Sequence, residues 1–133
     1  MNCSQSVLSV FCSEFGLERN PALRLAMGFG GGMGRTGKTC GAVTGAYMVL
    51  GLSQRLNVNN PRESIEKTYK SVHEFNRKFQ ALRGSLICKE LIGYDLNTPE
   101  GLIEARNRNI FSTVCPNIVS DSVKILEAML SAY

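Results

Sequence analysis

The stretch GFGGGMGRTGKTCGAVTG, residues 28–45, holds eight of the 13 glycines in the chain. Glycine reaches left-handed and tightly turned backbone conformations without steric cost, so this density predicts a sharply turning loop. Gly41 and Gly45 then follow in what the pattern predicts to be the start of an uncharged helix. Two chemistries fit this stretch: a phosphate-binding loop, or a loop that positions the thiol of Cys40.

Length and composition indicate a single globular domain over residues 1–133. A chain of 133 residues buries roughly two thirds of its unfolded surface in one core. The net charge of +4 is spread without runs of like charge. Nucleic-acid binding would require clustered Lys and Arg with interleaved aromatic residues, so we expect no nucleic-acid partner.

The sequence predicts neither export nor membrane insertion. The first residues, MNCSQSVLSVFCSEF, lack the charged and small-residue features of a signal peptide. The longest uncharged stretch, residues 39–54, is too short and too interrupted by glycine to span a bilayer. We therefore expect a cytoplasmic protein without direct membrane insertion. Five cysteines in that reducing compartment favour catalytic, redox-sensing or metal-bound thiols over a disulfide framework.

The four prolines predict helix starts. They occur in the pairs Asn20-Pro21, Asn60-Pro61, Thr98-Pro99 and Cys115-Pro116, and three of the four preceding residues are good N-caps. Proline fits the first helical position because its missing N–H has no partner there. No sustained period-two alternation indicates a strand. The sequence thus predicts an all-α fold, a compact bundle of about six or seven helices with a glycine-rich loop before the central helix.

Periodicity and punctuation place these helices along the chain. We expect helices at residues 3–15 and 22–27, a central buried helix at 39–54, and a long helix from Pro61 to the glycine at 84. Shorter helices at 86–92 and 98–108, then a last helix from residue 115, complete the prediction. In the central helix, Gly41 and Gly45 form a thin face on which another helix backbone could approach closely.

The long helix carries the clearest amphipathic pattern in the chain. Its apolar residues recur at spacings of three and four, which defines one helix face. His73 flanks this face, and we expect it to be a surface residue rather than a ligand. The residues of the face are Ile65, Tyr69, Val72, Phe75, Phe79 and Leu82.

Residues 32–39, GMGRTGKT, fit the phosphate-loop pattern G-x-x-x-x-G-K-[ST] at every position. That motif works only when a buried strand precedes it and a helix follows. Here the preceding residues 21–27 read as a helix, and no alternating βα pattern would build a parallel sheet. We therefore disfavour nucleotide binding.

The cysteines offer the alternative. Cys40 is expected in the first turn of the central helix beside Lys38 and Arg35, where the helix N-terminus and the cations favour thiolate and predict a lowered pKa. Lys38 is a candidate for tuning that thiol. Cys115 is expected at the N-cap of the last helix. Cys12 falls about 180° from Cys3 around the first helix, so these two residues cannot easily serve one site and Cys12 is predicted to be a buried small hydrophobe.

The order of the cysteine segments resembles a family of small bacterial proteins considered redox-active and named after its C-GCAxxG-C-C pattern. The resemblance spans nearly the whole chain. It rests on residues 2–5 (NCSQ), the loop 28–32 (GFGGG), residues 40–45 (CGAVTG), residues 88–91 (CKEL) with Gly93, and residues 115–116 (CP) with Val119.

This resemblance implies redox chemistry by Cys3, Cys40, Cys88 and Cys115, and members are often associated with transporter genes. The chain departs from the family pattern at two places. Cys3 almost begins the chain where members usually have a short leader, so we expect either that its segment frays or that the start codon is misassigned. Lys38 stands where an acidic residue often precedes the cysteine, which changes the local charge.

Three hypotheses remain open from the sequence. The first is a redox protein, a candidate thiol oxidoreductase with an unknown redox partner, working by thiol–disulfide or electron-transfer chemistry through Cys3, Cys40, Cys88 and Cys115. The second is a Zn or Fe–S site made by the same four thiols, although their spacing lacks a C-x-x-C pair. The third is a non-enzymatic accessory module of a membrane transporter. Buried structural thiols are the unremarkable alternative to the first hypothesis.

Overall fold

A computed structural model describes residues 1–131 of the chain. Within that range it contains seven helices of five or more residues and no strand beyond one antiparallel bridge between Thr39 and Ile87. The all-α prediction is therefore confirmed. Short helical turns at Cys12–Phe15, Met27–Phe29, Gly30–Met33 and Ile110–Thr113 connect the longer elements. The seven helices are α1 (Cys3–Phe11), α2 (Arg19–Ala26), α3 (Gly41–Ser53), α4 (Pro61–Arg83), α5 (Cys88–Ile92), α6 (Pro99–Asn107) and α7 (Cys115–Ser131).

Two of the four prolines are the first residue of a helix, as predicted. Pro21 and Pro116 are not, and Pro116 is the second residue of α7. Pro61 and Pro99 are the first residues of α4 and α6, after the side-chain caps Asn60 and Thr98. The start predicted for the second helix is wrong, because α2 begins at Arg19, two residues before Pro21. The first four N–H groups of a helix have no intrahelical acceptor, so proline fits any position in that turn.

The central helix is α3, as predicted. Its first six residues are all buried, and so are Val49 and Leu50 farther along. Helices α1, α4 and α7 pack around it. The hydroxyl of Ser122 in α7 donates a 2.8 Å hydrogen bond to the carbonyl of Ala42, which ties α7 to the first turn of α3.

The thin face of α3 lies against α1. A methyl group at Gly45 would lie 2.8 Å from the backbone oxygen of Ser4, and one at Gly41 would lie 3.0 Å from the Ser4 nitrogen and 3.1 Å from Cβ of Cys3. All three distances are shorter than ordinary van der Waals contact. The close approach predicted for Gly41 and Gly45 is thus confirmed, and the neighbouring backbone is the first turn of α1.

The glycine-rich loop forms a left-handed turn. Five consecutive residues, 31–35, have φ between 64° and 71°, and Met33 and Arg35 among them are not glycine. The amides of Gly34 and Arg35 donate to the carbonyl of Gly30. Those of Gly37 and Lys38 donate to the carbonyls of residues 31 and 32. These amides are already used inside the loop, and helix α2 precedes it, so the arrangement differs from a phosphate-binding loop.

The apolar face of α4 is only partly covered. Phe75 and Phe79 are fully buried, whereas Ile65, Tyr69 and Leu82 are 45%, 59% and 59% exposed. At 1.5 Å per residue α4 is about 35 Å long against about 20 Å for α3, so α3 alone cannot cover the whole length of α4. Those three residues of the apolar face lie outside the core. His73 is exposed, as expected.

Replacing Gly45 by alanine should destabilise the protein by about 1–3 kcal/mol, because the added methyl meets backbone rather than a movable side chain. Gly51→Ala is the matched control in the same helix, since a methyl there meets nothing within 4 Å. That control should be neutral or stabilising by up to about 1 kcal/mol. Urea unfolding followed by circular dichroism measures both, and equal midpoints for the two variants would contradict the close packing.

Candidate thiol site

Four of the five cysteines line one cavity of about 670 Å³. They are the four that the sequence singled out, Cys3, Cys40, Cys88 and Cys115. Cys12 lies elsewhere: its side chain is 1% exposed, and its thiol lies 3.8 Å from the carbonyl of Ser9. Its predicted role as a buried small hydrophobe is confirmed.

Cys3 is the first residue of α1 and is firmly held. The Asn2 side chain accepts from the Gln5 amide at 3.0 Å, and the Gln5 side chain accepts from the Asn2 amide at 2.9 Å, a reciprocal capping box. Ser4 and Gln5 also donate side-chain hydrogen bonds to the carbonyls of Ala26 and Leu23 in α2. The expected fraying of this segment is therefore wrong.

Cys40 and Cys88 are brought together by the bridge between Thr39 and Ile87. The Cys40 amide donates to the carbonyl of Leu86 at 2.9 Å, and the Cys88 amide donates to that of Lys38 at 2.6 Å. A methyl at Gly32 would lie 2.5 Å from Cβ of Cys88, so the loop closes on this cysteine only because residue 32 has no side chain. Each of the two cysteine residues is 5% exposed.

Cys40 and Cys115 both lie at helix starts, but each takes the position expected for the other. Cys40 is the N-cap of α3 rather than a residue of its first turn. Cys115 is the first residue of α7 rather than its cap. The preceding turn, Ile110–Thr113, runs almost directly into α7, and the helical backbone of Val114 takes the place that a cap would have. Both cysteines still lie at the positive end of a helix dipole.

Cys3 and Cys115 both line the cavity and interact with each other. This contact is the largest cause of a lowered pKa at Cys115, and it is also the largest cause of a raised pKa at Cys3, with burial second. These opposite shifts favour a state in which one of the two sulfurs is ionised and the other keeps its proton, so the two thiols titrate as a pair. Cys40 and Cys88 act on Cys3 through charge alone.

The lowered pKa expected for Cys40 is wrong. Burial raises the pKa of this thiol and outweighs the neighbouring amides of Ala42 and Val43 and the charge of Arg83, which act in the opposite direction. Burial likewise raises the pKa of Cys88 to about 12, with smaller contributions from Cys40 and Cys115. The side chain of Lys38 is exposed, and its role in tuning Cys40 stays a prediction.

The cysteines are all free thiols. Within residues 1–131, no group of three or more His, Cys, Asp or Glu side chains is arranged to hold a metal ion. The Zn or Fe–S hypothesis therefore gains no ligand set from this arrangement and stays a prediction.

Several residues of the site gave no signal in the sequence. Arg83 acts on Cys40 from the end of α4, where a 2.6 Å contact with Asp121 holds it. Arg106 and Phe111 line the cavity although nothing in their local pattern marks them. Arg35 lies near Cys40 in the sequence, and the structure places it on the cavity wall.

An all-helical chain whose four ordered cysteines surround one cavity defines a class of thiol protein, and comparison with known proteins agrees. The model of the family described as "Putative redox-active protein (C_GCAxxG_C_C)" matches residues 1–129, and the chain belongs to this family. An uncharacterized protein of Archaeoglobus fulgidus is 29% identical over 131 residues, which cover 93% of this chain and 81% of that relative. No solved structure matches the chain at a significant level. Of the helices in the described part of the chain, none has the length and apolar character to cross a membrane.

Raising the pH above 9 should weaken the fold through Cys88. In the unfolded chain this thiol ionises near 9.0, whereas in the folded protein its pKa is about 12. Between those values the unfolded state binds fewer protons, so the free energy of unfolding falls by up to about 1.4 kcal/mol per pH unit from this residue.

Cys88→Ala isolates this contribution. The difference in free energy of unfolding between wild type and variant should be constant from pH 7 to 8 and should shift against the wild type from pH 9 to 10.5. Urea titrations of reduced protein at each pH measure it. A difference that stays constant to pH 10.5 would show that the folded Cys88 is not held neutral.

Proposed function

We propose that this protein is a thiol–disulfide redox protein in which Cys115 is the attacking thiolate and Cys3 the resolving thiol. The observation that supports this is the position of both cysteines on the wall of one cavity, where their interaction lowers the pKa of Cys115 and raises that of Cys3. Thiol–disulfide exchange requires a thiolate with a second thiol in reach, and the lowered pKa of Cys115 beside Cys3 favours this combination.

The exchange proceeds in two steps. The Cys115 thiolate attacks one sulfur of a disulfide substrate; its S–S bond breaks, a mixed disulfide forms, and the leaving thiolate takes up a proton. Cys3 then releases its proton to solvent and attacks the Cys115 sulfur, so that the Cys3–Cys115 disulfide forms and the second substrate thiol leaves. The substrate gains two electrons and two protons, and the protein dithiol is oxidised.

Burial explains the choice of Cys115 over the other thiols. Cys40 and Cys88 are each 5% exposed and have raised pKa values, so at neutral pH they are protonated and poorly accessible. Cys115 is half-buried and begins a 17-residue helix. Its thiolate is therefore favoured by the helix dipole and by Cys3.

The proposal places this reaction in the cytoplasm, where thiol reductants would return the pair to the dithiol state. A partner that delivers the disulfide is part of the same proposal. The suggestion that this partner is a membrane transporter rests on the family resemblance alone.

Equilibration of anaerobically purified protein with mixtures of reduced and oxidised dithiothreitol tests the proposal. We expect one two-electron transition, with a disulfide that maps to Cys3 and Cys115 by mass spectrometry after acid quench and alkylation. Cys3→Ser and Cys115→Ser should each abolish that transition. Cys12→Ser, a buried cysteine outside the cavity, should keep it.

Two further readouts on the same sample separate the alternatives. At pH 7 Cys115 should be the cysteine that iodoacetamide alkylates fastest; equal rates at all five cysteines would contradict an activated thiolate. Stoichiometric Zn or Fe in the anaerobic protein would instead support the metal hypothesis and overturn the exchange mechanism.

A further inference from the structure

The cavity that holds the four thiols has a cationic mouth. Arg35 and Arg106 both line it and both are exposed, while its deeper lining includes buried Cys40, Cys88 and Ile118. No Asp or Glu is among the lining residues of the described chain. An anion at the mouth would therefore meet two positive charges and no negative side chain.

Arg35 is placed there at a conformational cost. Its φ is +64°, a left-handed value that side chains other than glycine rarely adopt. Its side chain lies across Gly31, where a methyl group would come within 2.7 Å of the Arg35 Cγ. Strained backbone that the surrounding structure maintains is concentrated at ligand and active sites.

Arg106 differs from its neighbour Arg108 in whether a carboxylate pairs its charge. Arg108 donates from Nε to the carboxylate of Glu104 at 3.0 Å, so its charge is already paired. Within residues 1–131, neither Arg106 nor Arg35 has a carboxylate partner. The two arginines at the mouth are thus available to a ligand, and Arg108 provides a matched control outside the cavity.

We propose that this cavity binds a small anionic disulfide, with its acidic groups on Arg35 and Arg106 and its S–S bond at Cys115. This substrate class rests on the proposed function. A cavity of about 670 Å³ lies within the roughly 300–1,000 Å³ of small-molecule sites. The cations also offset the repulsion between an anionic substrate and the Cys115 thiolate, and guanidinium groups bind carboxylates in two-pronged fashion.

Three disulfides of different charge test the substrate class. Glutathione disulfide is anionic, bis(2-hydroxyethyl) disulfide is neutral and cystamine is cationic. Rates of Cys3–Cys115 disulfide formation are measured by quenched alkylation at low ionic strength, each divided by the rate of the same disulfide with free dithiothreitol. Wild type should favour glutathione disulfide over both others by about tenfold or more, the expected value of a charge-assisted contact.

Charge-neutral variants identify the residues. Arg35→Gln and Arg106→Gln should each lose most of the preference for glutathione disulfide while keeping the rate with bis(2-hydroxyethyl) disulfide. Arg108→Gln should keep both rates. Arg35→Lys should recover part of the preference, which separates the charge from the backbone strain at this position.

Binding without chemistry provides an independent readout. A Cys3→Ser/Cys115→Ser variant cannot be oxidised at this pair, and calorimetry should show that it binds glutathione disulfide but not cystamine, with an affinity that falls as salt is raised. Suppose that bis(2-hydroxyethyl) disulfide oxidises the pair, but the three disulfides react at equal rates and calorimetry shows no binding. The anionic-substrate inference is then overturned, and the exchange mechanism stands. If no disulfide oxidises the pair, the proposed function itself fails.

Discussion

The site depends on the contact between the backbones of α1 and α3. Two missing side chains, at Gly41 and Gly45, let the first turn of α1 lie directly on α3. That contact puts Cys3 beside the N-terminus of the helix that Cys40 caps. A methyl group at either glycine would have to move a whole helix, since the atoms it would meet include backbone. The position of Cys3 in the cavity therefore depends on this close packing of two helices.

The glycine-rich loop positions Cys88 in the same way, through a residue that has no side chain. Gly32 has no side chain where Cys88 passes, and its carbonyl accepts from Lys38, the residue whose own carbonyl receives the Cys88 amide. The left-handed turn thus holds the start of α5 against the start of α3. What resembles a nucleotide motif in the sequence acts here as a clamp between two cysteine segments.

Much of this arrangement could be predicted from the sequence, because it depends on local features. Glycine spacing indicated the thin face of α3, and the order of the cysteines indicated which four belong together. The pKa of Cys40 could not be predicted in this way. Lys38 is only two residues away in sequence but is exposed. Burial, which decides the direction of the shift, comes from the packing of distant helices. The contact between Cys3 and Cys115 is equally nonlocal, and no periodicity reveals it.

The packing of α1 against α7 sets an order of events during synthesis. Cys3 leaves the ribosome early, and Cys115 follows on the order of ten seconds later at ordinary elongation rates. Until then the attacking thiol of the proposed site has not emerged, and Cys3 lacks the partner with which it interacts in the folded protein. Under the proposed mechanism the helix that completes the cavity also carries the attacking thiol, so the chain would acquire its reactivity together with the fold that directs it.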